Sequence, residues 1–373
     1  MNSNSVINKG ETPAVTKIQQ LLSIAESARR AKSFLRIVGR SGAGKSTAAI
    51  EVAKQMGFDP DRISLVNFAE ASPSEVRGQL MPDASKRESW YTKPLELPLR
   101  AEVGDDPYVL ILDEWNSWHP SLHILFHGLV APKNNPTAAP RVGPHELPLN
   151  LFVIMTGNRK EDGASTHTDK APILGRSRSV EWLPTIESWL EHEGRAAGSS
   201  PITAFLNYAA KAGSDAADFF CPSPPKPFRG DPYPQPRQWS SLVHDAAFPT
   251  DPDEQHLEIS SAVGRTAADA CCAFMSLARE VLPALAAIIA GTENLPSRDP
   301  QRCYAIAHCA IRQLVNLAGD DAGAAVASGA LDPIVERVLV QLDPELRAWA
   351  FSAALASGVP LDQHPRQQQL QSL

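Results

Sequence analysis

One stretch constrains this chain more than any other: Gly39-Arg40-Ser41-Gly42-Ala43-Gly44-Lys45-Ser46, followed by Thr47. It satisfies the pattern G-x-x-x-x-G-K-[ST] at every fixed position. Glycines allow a tight backbone turn that aims successive N–H groups at one point, which makes an anion-binding nest. Lys45 adds a point charge for the outer phosphates of a bound nucleotide, and the Ser46 hydroxyl is a hard oxygen ligand for Mg²⁺. The flanks agree with the motif. Ser33 to Val38 reads as a buried strand leading in, and Ser46 to Met56 as a helix leading out, its positive dipole end at the loop.

A second stretch supplies carboxylates. Tyr108-Val109-Leu110-Ile111-Leu112 reads as a strand buried on both faces, which suits the middle of a parallel sheet, and it runs into Asp113-Glu114. Ligands of open α/β sheets bind at the carboxyl ends of strands. Asp113 is therefore expected to face the loop and hold Mg²⁺ with Ser46, and Glu114 to polarise an attacking water as general base. Leu149 to Thr156 reads as another buried strand and delivers Asn158 to the same edge, within hydrogen-bond reach of a γ-phosphate or that water. Arg62 to Phe68 is a further strand, and the segment after Ile173-Leu174-Gly175-Arg176-Ser177-Arg178 a fifth. Arginine just before that strand would be exposed near a subunit boundary.

Between these strands the reading is coarser. A helix is expected through Arg30, capped by Thr12 or Thr16. Residues 80–107 read as loop-rich. Asn116 to Val130 reads as one helix with His119, His123 and His127 on one face; that spacing suits a metal, but packing of Leu122, Leu125 and Phe126 explains the helix without one. Prolines between Ala131 and Pro148 point to loops and a short hairpin. Lys160 to Lys170 is polar.

Of the 373 residues, 43% are hydrophobic and 21% charged, ordinary values for a globular protein of two domains. A net charge of −7 disfavours a broad nucleic-acid footprint. The five cysteines form no C-x-x-C pair, and Met1-Asn2-Ser3-Asn4-Ser5 opens no signal pattern. With no long uncharged apolar run either, the expectation is a reduced, cytoplasmic chain without a membrane span.

After Pro184 the composition changes. Ile186 to Gly194 and Pro201 to Lys211 read as helices, and Cys221 to Pro236 is proline-rich and extended. Arg237-Gln238-Trp239 opens a helix through Ala246, and the rest is alanine-rich helix: Ala262 to Ile289, Gln301 to Leu317, Ala324 to Ala330, Ile334 to Leu342 and Pro344 to Ala356.

In this order the motifs resemble those of AAA+ ATPases, and more closely the MoxR-like branch. Asp113-Glu114-Trp115-Asn116 with Pro120 is similar to that branch's D-E-x-N-x-x-x-P run. Trp90-Tyr91-Thr92-Lys93-Pro94-Leu95 resembles its aromatic-then-G-P-L element, and Pro234-Gln235-Pro236-Arg237-Gln238-Trp239 its S-P-R-x-W lid start. The resemblance implies a three-layer α/β/α P-loop NTPase core with a parallel sheet over residues 14–183, after a tail at 1–13. A helical lid with a proline-rich connector would occupy 184–260 and a helical C-terminal region 261–373. It implies ATP and Mg²⁺ as cofactors, Asn158 as sensor 1, Arg237 as sensor 2, and Arg176, or alternatively Arg178, as the finger acting on a neighbour's nucleotide. It further implies a homo-oligomeric ring, by resemblance a hexamer, remodelling an unknown protein client. A small-molecule kinase, a nucleic-acid motor and a nucleotide switch with little turnover stay open as alternatives.

Overall fold

The computed structural model describes residues 12–83, 85, 88–94, 96–129, 138–159, 162, 175–197, 200–212, 216–222, 231–296, 299–319 and 322–371. The chain divides into two compact units, Met1–Pro184 and Thr185–Leu373. The start of the chain, most of the polar Lys160–Lys170 stretch, Ile173-Leu174 and the middle of the proline-rich segment lie outside the described residues.

In the first unit the sheet strands are β1 (Ala14–Val15), β2 (Phe34–Gly39), β3 (Ile63–Val66), β6 (Tyr108–Leu112), β9 (Leu151–Asn158) and β10 (Ser177–Trp182). They form one six-stranded sheet in the order β1-β10-β2-β9-β6-β3, with every pairing parallel. Helices α1 (Ile18–Arg30) and α2 (Lys45–Gln55) pack on the strands. Alternate residues of the central strands, Leu110 and Leu112 of β6 and Val153 and Met155 of β9, join a core with Trp115, Trp118, Leu122 and Phe126. With α3 (Pro73–Arg77), α4 (Arg100–Val103) and α5 (Pro120–Leu125), this is an α/β P-loop fold of three layers. The buried, apolar strands are those expected of a parallel sheet covered on both faces.

Four details depart from the sequence reading. Ala14–Val15 adds a sixth strand at the edge beside β10, too short for any periodicity to mark it. Helix α1 is capped by Gln20, whose side chain accepts from the N–H groups of Thr16 and Lys17, rather than by Thr12 or Thr16. The loop-rich 80–107 region contains an antiparallel hairpin, β4 (Leu80–Asp83) with β5 (Glu88–Tyr91), which leaves Leu80, Met81 and Trp90 exposed. The helix expected over Asn116 to Val130 is broken into a 3-10 turn at Trp115–Ser117, helix α5, and a second 3-10 turn at Phe126–Leu129. Trp118 is extended, and Pro120 starts a new helix capped by the His119 ring. A second short hairpin, β7 (Arg141–Val142) with β8 (His145–Glu146), does lie before β9.

The second unit is helical: α6 (Ile186–Ala197), α7 (Pro201–Ala212), α8 (Ala216–Phe220), α9 (Pro236–Val243), α10 (Pro252–Val263), α11 (Arg265–Glu280), α12 (Leu282–Ala290), α13 (Pro300–Ala318), α14 (Ala322–Ala327), α15 (Asp332–Arg337), α16 (Pro344–Ala356) and α17 (Gln367–Gln371). The single long helix expected from Ala262 is two, meeting at Val281 just before Pro283. By length and composition Arg265–Ala290 could cross a membrane, with an 18-residue window of mean hydropathy 1.7. Here its Cys271, Phe274, Leu285 and Ile288 are buried core residues.

His308 of α13 is 2% exposed, and neither ring nitrogen has a hydrogen-bond partner. Burial, with Arg312 nearby, lowers its pKa from 6.5 to about 4, so the folded unit holds it neutral. The unfolded chain takes up a proton there below about pH 6.5, which favours unfolding by at most about 1.4 kcal/mol per pH unit until the folded pKa is reached. Calorimetric melts from pH 7 to pH 4.5 are expected to show His308→Leu losing less stability over that window than the wild-type chain.

Candidate functional site

Three neighbouring strands bring the chemistry-bearing residues to one edge of the sheet. β9 lies between β2 and β6, and in its register Gly39 is opposite Asn158 while Leu112 is opposite Met155. The residues after those strand ends, the phosphate loop after β2 and Asp113-Glu114 after β6, therefore emerge beside Thr156 to Asn158.

The loop closes on itself and on β9. Gly44 sits at φ 77°, a left-handed conformation that costs glycine little, and starts helix α2 at Lys45. Ser41 and Thr47 are exposed, Arg40 and Ser46 half-buried, and Gly42, Ala43 and Lys45 buried. The Lys45 Nζ donates to the Arg40 carbonyl and to Asn158 Oδ1, each at 2.8 Å. A γ-phosphate oxygen would compete for that ammonium with Asn158, which places lysine and asparagine around one point.

The acid pair is held from below. Ser46 Oγ donates to Asp113 Oδ1 at 2.6 Å, and Thr156 Oγ1 donates to the same oxygen at 2.5 Å. The Thr156 hydroxyl also accepts from the Glu114 N–H at 3.1 Å. The Trp118 indole donates to the Asp113 carbonyl at 2.9 Å, and Trp118, Trp115, Phe68 and Phe126 pack in edge-to-face and tilted contacts beneath the turn. These contacts support an uncommon backbone. Glu114 is a non-glycine residue at φ 51°, ψ 32°, which costs roughly 1–3 kcal/mol. The turn sets its carboxylate beside Asn67, whose Nδ2 donates to Glu114 Oε2 at 3.3 Å.

Asn116 fixes the other wall. Its amide donates to the Asn158 carbonyl at 2.7 Å and accepts from the Asn158 N–H at 3.1 Å. The approach is so close that a Cβ on Gly157 would lie 2.6 Å from the Asn116 oxygen. Next along, Arg159 pairs with Asp162 and with Glu181 of β10. The Asp162 hydrogen bond, helped by that of Glu181, raises the guanidinium pKa, so Arg159 stays charged.

The donor set suits a hard cation. Ser46 and Asp113 present oxygen only, and Mg²⁺ is commonly held by one or two carboxylates together with phosphates. Among the described residues no group of three or more His, Cys, Asp or Glu side chains is arranged for a metal. The three histidines have other employment: His119 caps α5, His123 stacks on Trp115 at 4.2 Å and bonds its carbonyl, and His127 is exposed.

The arginines stand elsewhere. Arg178 is in register with Leu35, and the Arg176 carbonyl accepts from the Phe34 N–H, so both arginines mark the amino end of β2 and β10. At about 3.3 Å per residue, even Arg178 is some 13 Å of strand from Gly39. Both side chains are exposed, and neither belongs to the constellation around the loop of its own chain. Arg237 is exposed in the first turn of α9, in the second unit.

Sequence reasoning missed Asn67, Thr156, Trp118 and Trp182 as parts of the site. Thr156 ends the buried aliphatic run of β9 and could have been read from that position alone, whereas Asn67 joins the site only through its long-range contact with Glu114. The tryptophans carry no such mark.

Among solved structures the chain is similar to NtrX from Brucella abortus in complex with ADP, at 17% identity and a TM-score of 0.37, covering 86% of this chain and 67% of that one. A further structure of the same NtrX gives 16% identity and a TM-score of 0.30, covering 87% and 69%. At these scores neither likeness adds to what the site's own geometry says. No protein-family model and no curated protein matches the chain.

Losing the Asn116 amide removes a hydrogen bond from each backbone group of Asn158. Asn116→Ala is expected to cost about 1–3 kcal/mol in urea unfolding of the first unit. Asn67→Ala, which loses an exposed contact to Glu114 and a local hydrogen bond from the Ala69 N–H, is expected to cost less than half as much in the same measurement.

Proposed function

We propose that this chain is a Mg²⁺-dependent ATPase of the AAA+ class, of the MoxR-like branch, working as a ring and remodelling a protein partner. The observation that carries the reading is the convergence of Lys45, Ser46, Asp113, Glu114 and Asn158 on one sheet edge beside a helix N-terminus. A kinase needs the loop and a metal ligand, but not a second carboxylate aimed by a strained turn and an asparagine sharing the lysine's ammonium.

The division of labour follows from the geometry. Loop N–H groups and the positive end of α2 attract phosphates, and Lys45 exchanges Asn158 for a phosphate oxygen. Ser46 and Asp113 would hold Mg²⁺, which when bound offsets charge on the phosphates. Glu114 is the general base that orients the attacking water and takes its proton, and Asn158 hydrogen-bonds that water or the γ-phosphate. Arg176 or Arg178 is too far from the loop of its own chain and would serve the nucleotide of a neighbour, which is what makes a ring, a hexamer by resemblance, part of the reading. Arg237 would bring the helical lid onto the γ-phosphate. The client is a protein of unidentified sequence. The free cysteines Cys221, Cys271, Cys272, Cys303 and Cys309 suit a reducing cytoplasm.

Glu114→Gln is expected to keep ATP binding and to lower phosphate release by roughly 10²–10⁴-fold. Its mass in solution is expected to rise to that of a ring when ATP is added. Equal phosphate release by wild type and variant sinks the hydrolysis reading, and a monomer under both conditions sinks the shared site.

Mixing separates the finger from the loop. Chains carrying Lys45→Ala and chains carrying Arg176→Ala with Arg178→Ala are each expected to be inactive alone. Combined, they are expected to recover phosphate release at junctions where an intact loop meets intact arginines. No recovery at any ratio, with mixed rings present, contradicts action across the subunit boundary.

A further inference from the structure

We propose that Trp182 is a positioning residue of the phosphate cradle, its indole N–H setting the direction in which one of the cradle's donors points. The inference rests on the loop being a nucleotide site. Trp182 is the last residue of β10 and 5% exposed, and its Nε1 donates to the Ala43 carbonyl at 2.9 Å. Ala43 is itself buried at the crest of the loop, between Gly42 at φ 69° and Gly44 at φ 77°.

A trans peptide carries its C=O and N–H on opposite sides. Drawing the Ala43 carbonyl towards Trp182 therefore turns the Gly44 N–H the other way, to the side where α2 begins and Lys45 and Ser46 stand. Nothing in the loop's own sequence enforces that choice. Gly44, on the far side of that peptide, tolerates φ of either sign, so an external donor can select the orientation. The same residue also backs the start of the loop, since a Cβ on Gly39 would lie 2.6 Å from the Trp182 carbonyl oxygen. Trp182 thus braces the loop where it leaves β2 and again at its crest. A buried indole N–H usually finds some partner. The distinctive feature is that the partner is a peptide of the loop that leads into Gly44, a residue at positive φ.

The test replaces Trp182 with 3-benzothienylalanine, which keeps the ring's shape and removes only the N–H, alongside Trp182→Phe, each in the full-length chain. ADP binding is read by titration calorimetry. The isostere is expected to bind ADP about tenfold more weakly than the wild-type chain, the scale of one buried hydrogen bond lost. Its melting midpoint is expected to fall by no more than about 4 °C. In turnover the loss is expected in KM, with kcat held. If the wild-type chain binds ADP and the isostere binds it equally well, the assignment of Trp182 is overturned and the nucleotide site stands. If the wild-type chain binds no ADP, both fall. Should Trp182→Phe fail to fold, the isostere alone decides.

Discussion

Lys45 carries its charge at 8% exposure, and a cation withdrawn from water must be surrounded by oxygen. Among the oxygens that meet it are a carbonyl from its own loop, at Arg40, and the side chain of Asn158, more than a hundred residues away in the chain. The second is available only because β9 is inserted between β2 and β6 in a register that sets Asn158 opposite Gly39. A shift of that register by one residue would turn Asn158 to the other face and remove its contact with the ammonium. The position of the sensor strand, the bend of the loop and the solvation of the lysine are therefore one constraint. Its consequence is functional, because the groups that satisfy the lysine are those a phosphate must displace or share.

The acid pair depends on a different kind of support. Aliphatic strands deliver Asp113 and Glu114 to the edge, but they do not aim them. The aiming comes from a left-handed residue at Glu114, and such a residue persists only where its surroundings over-determine it. Thr156 does so from above by bonding both the Asp113 carboxylate and the Glu114 N–H. The tryptophans do so from below. Trp118 holds the Asp113 carbonyl while its ring is locked among Phe68, Trp115 and Phe126. The aromatic core under the turn thus does more than bury area, for it fixes the backbone from which the Glu114 carboxylate projects.

This explains which parts of the molecule were legible in the sequence. The loop, Asp113-Glu114 and Asn158 could be read because each follows a run of aliphatic residues long enough to be a strand, and parallel sheets put such ends together. The break in the Asn116–Val130 helix was hidden because Leu122, Leu125 and Phe126 keep helical spacing across it. Only the tertiary demand for Trp115 and Trp118 under the site forces the chain to turn twice. The two-residue strand β1 and the Asn67–Glu114 contact carry no periodic signal at all, since both depend on long-range pairing. In the helical unit composition announced helix correctly, while the junctions at Gly264 and Val281 escaped because alanine-rich sequence on both sides looks continuous.

Strand β10 connects the two ends of the sheet. It begins beside Phe34, where Arg176 and Arg178 are exposed, and it ends beside Val38 and Gly39, where Trp182 touches the loop and Glu181 holds Arg159 next to Asn158. It pairs with β2 over Ser177–Glu181 and with β1 at Glu181 and Trp182. One segment therefore spans the sheet from its arginine-bearing edge to its phosphate-bearing edge. The strand's own length keeps the arginines from the loop at its far end. The separation that removes them from their own site is thus the same feature that would let them complete a neighbour's.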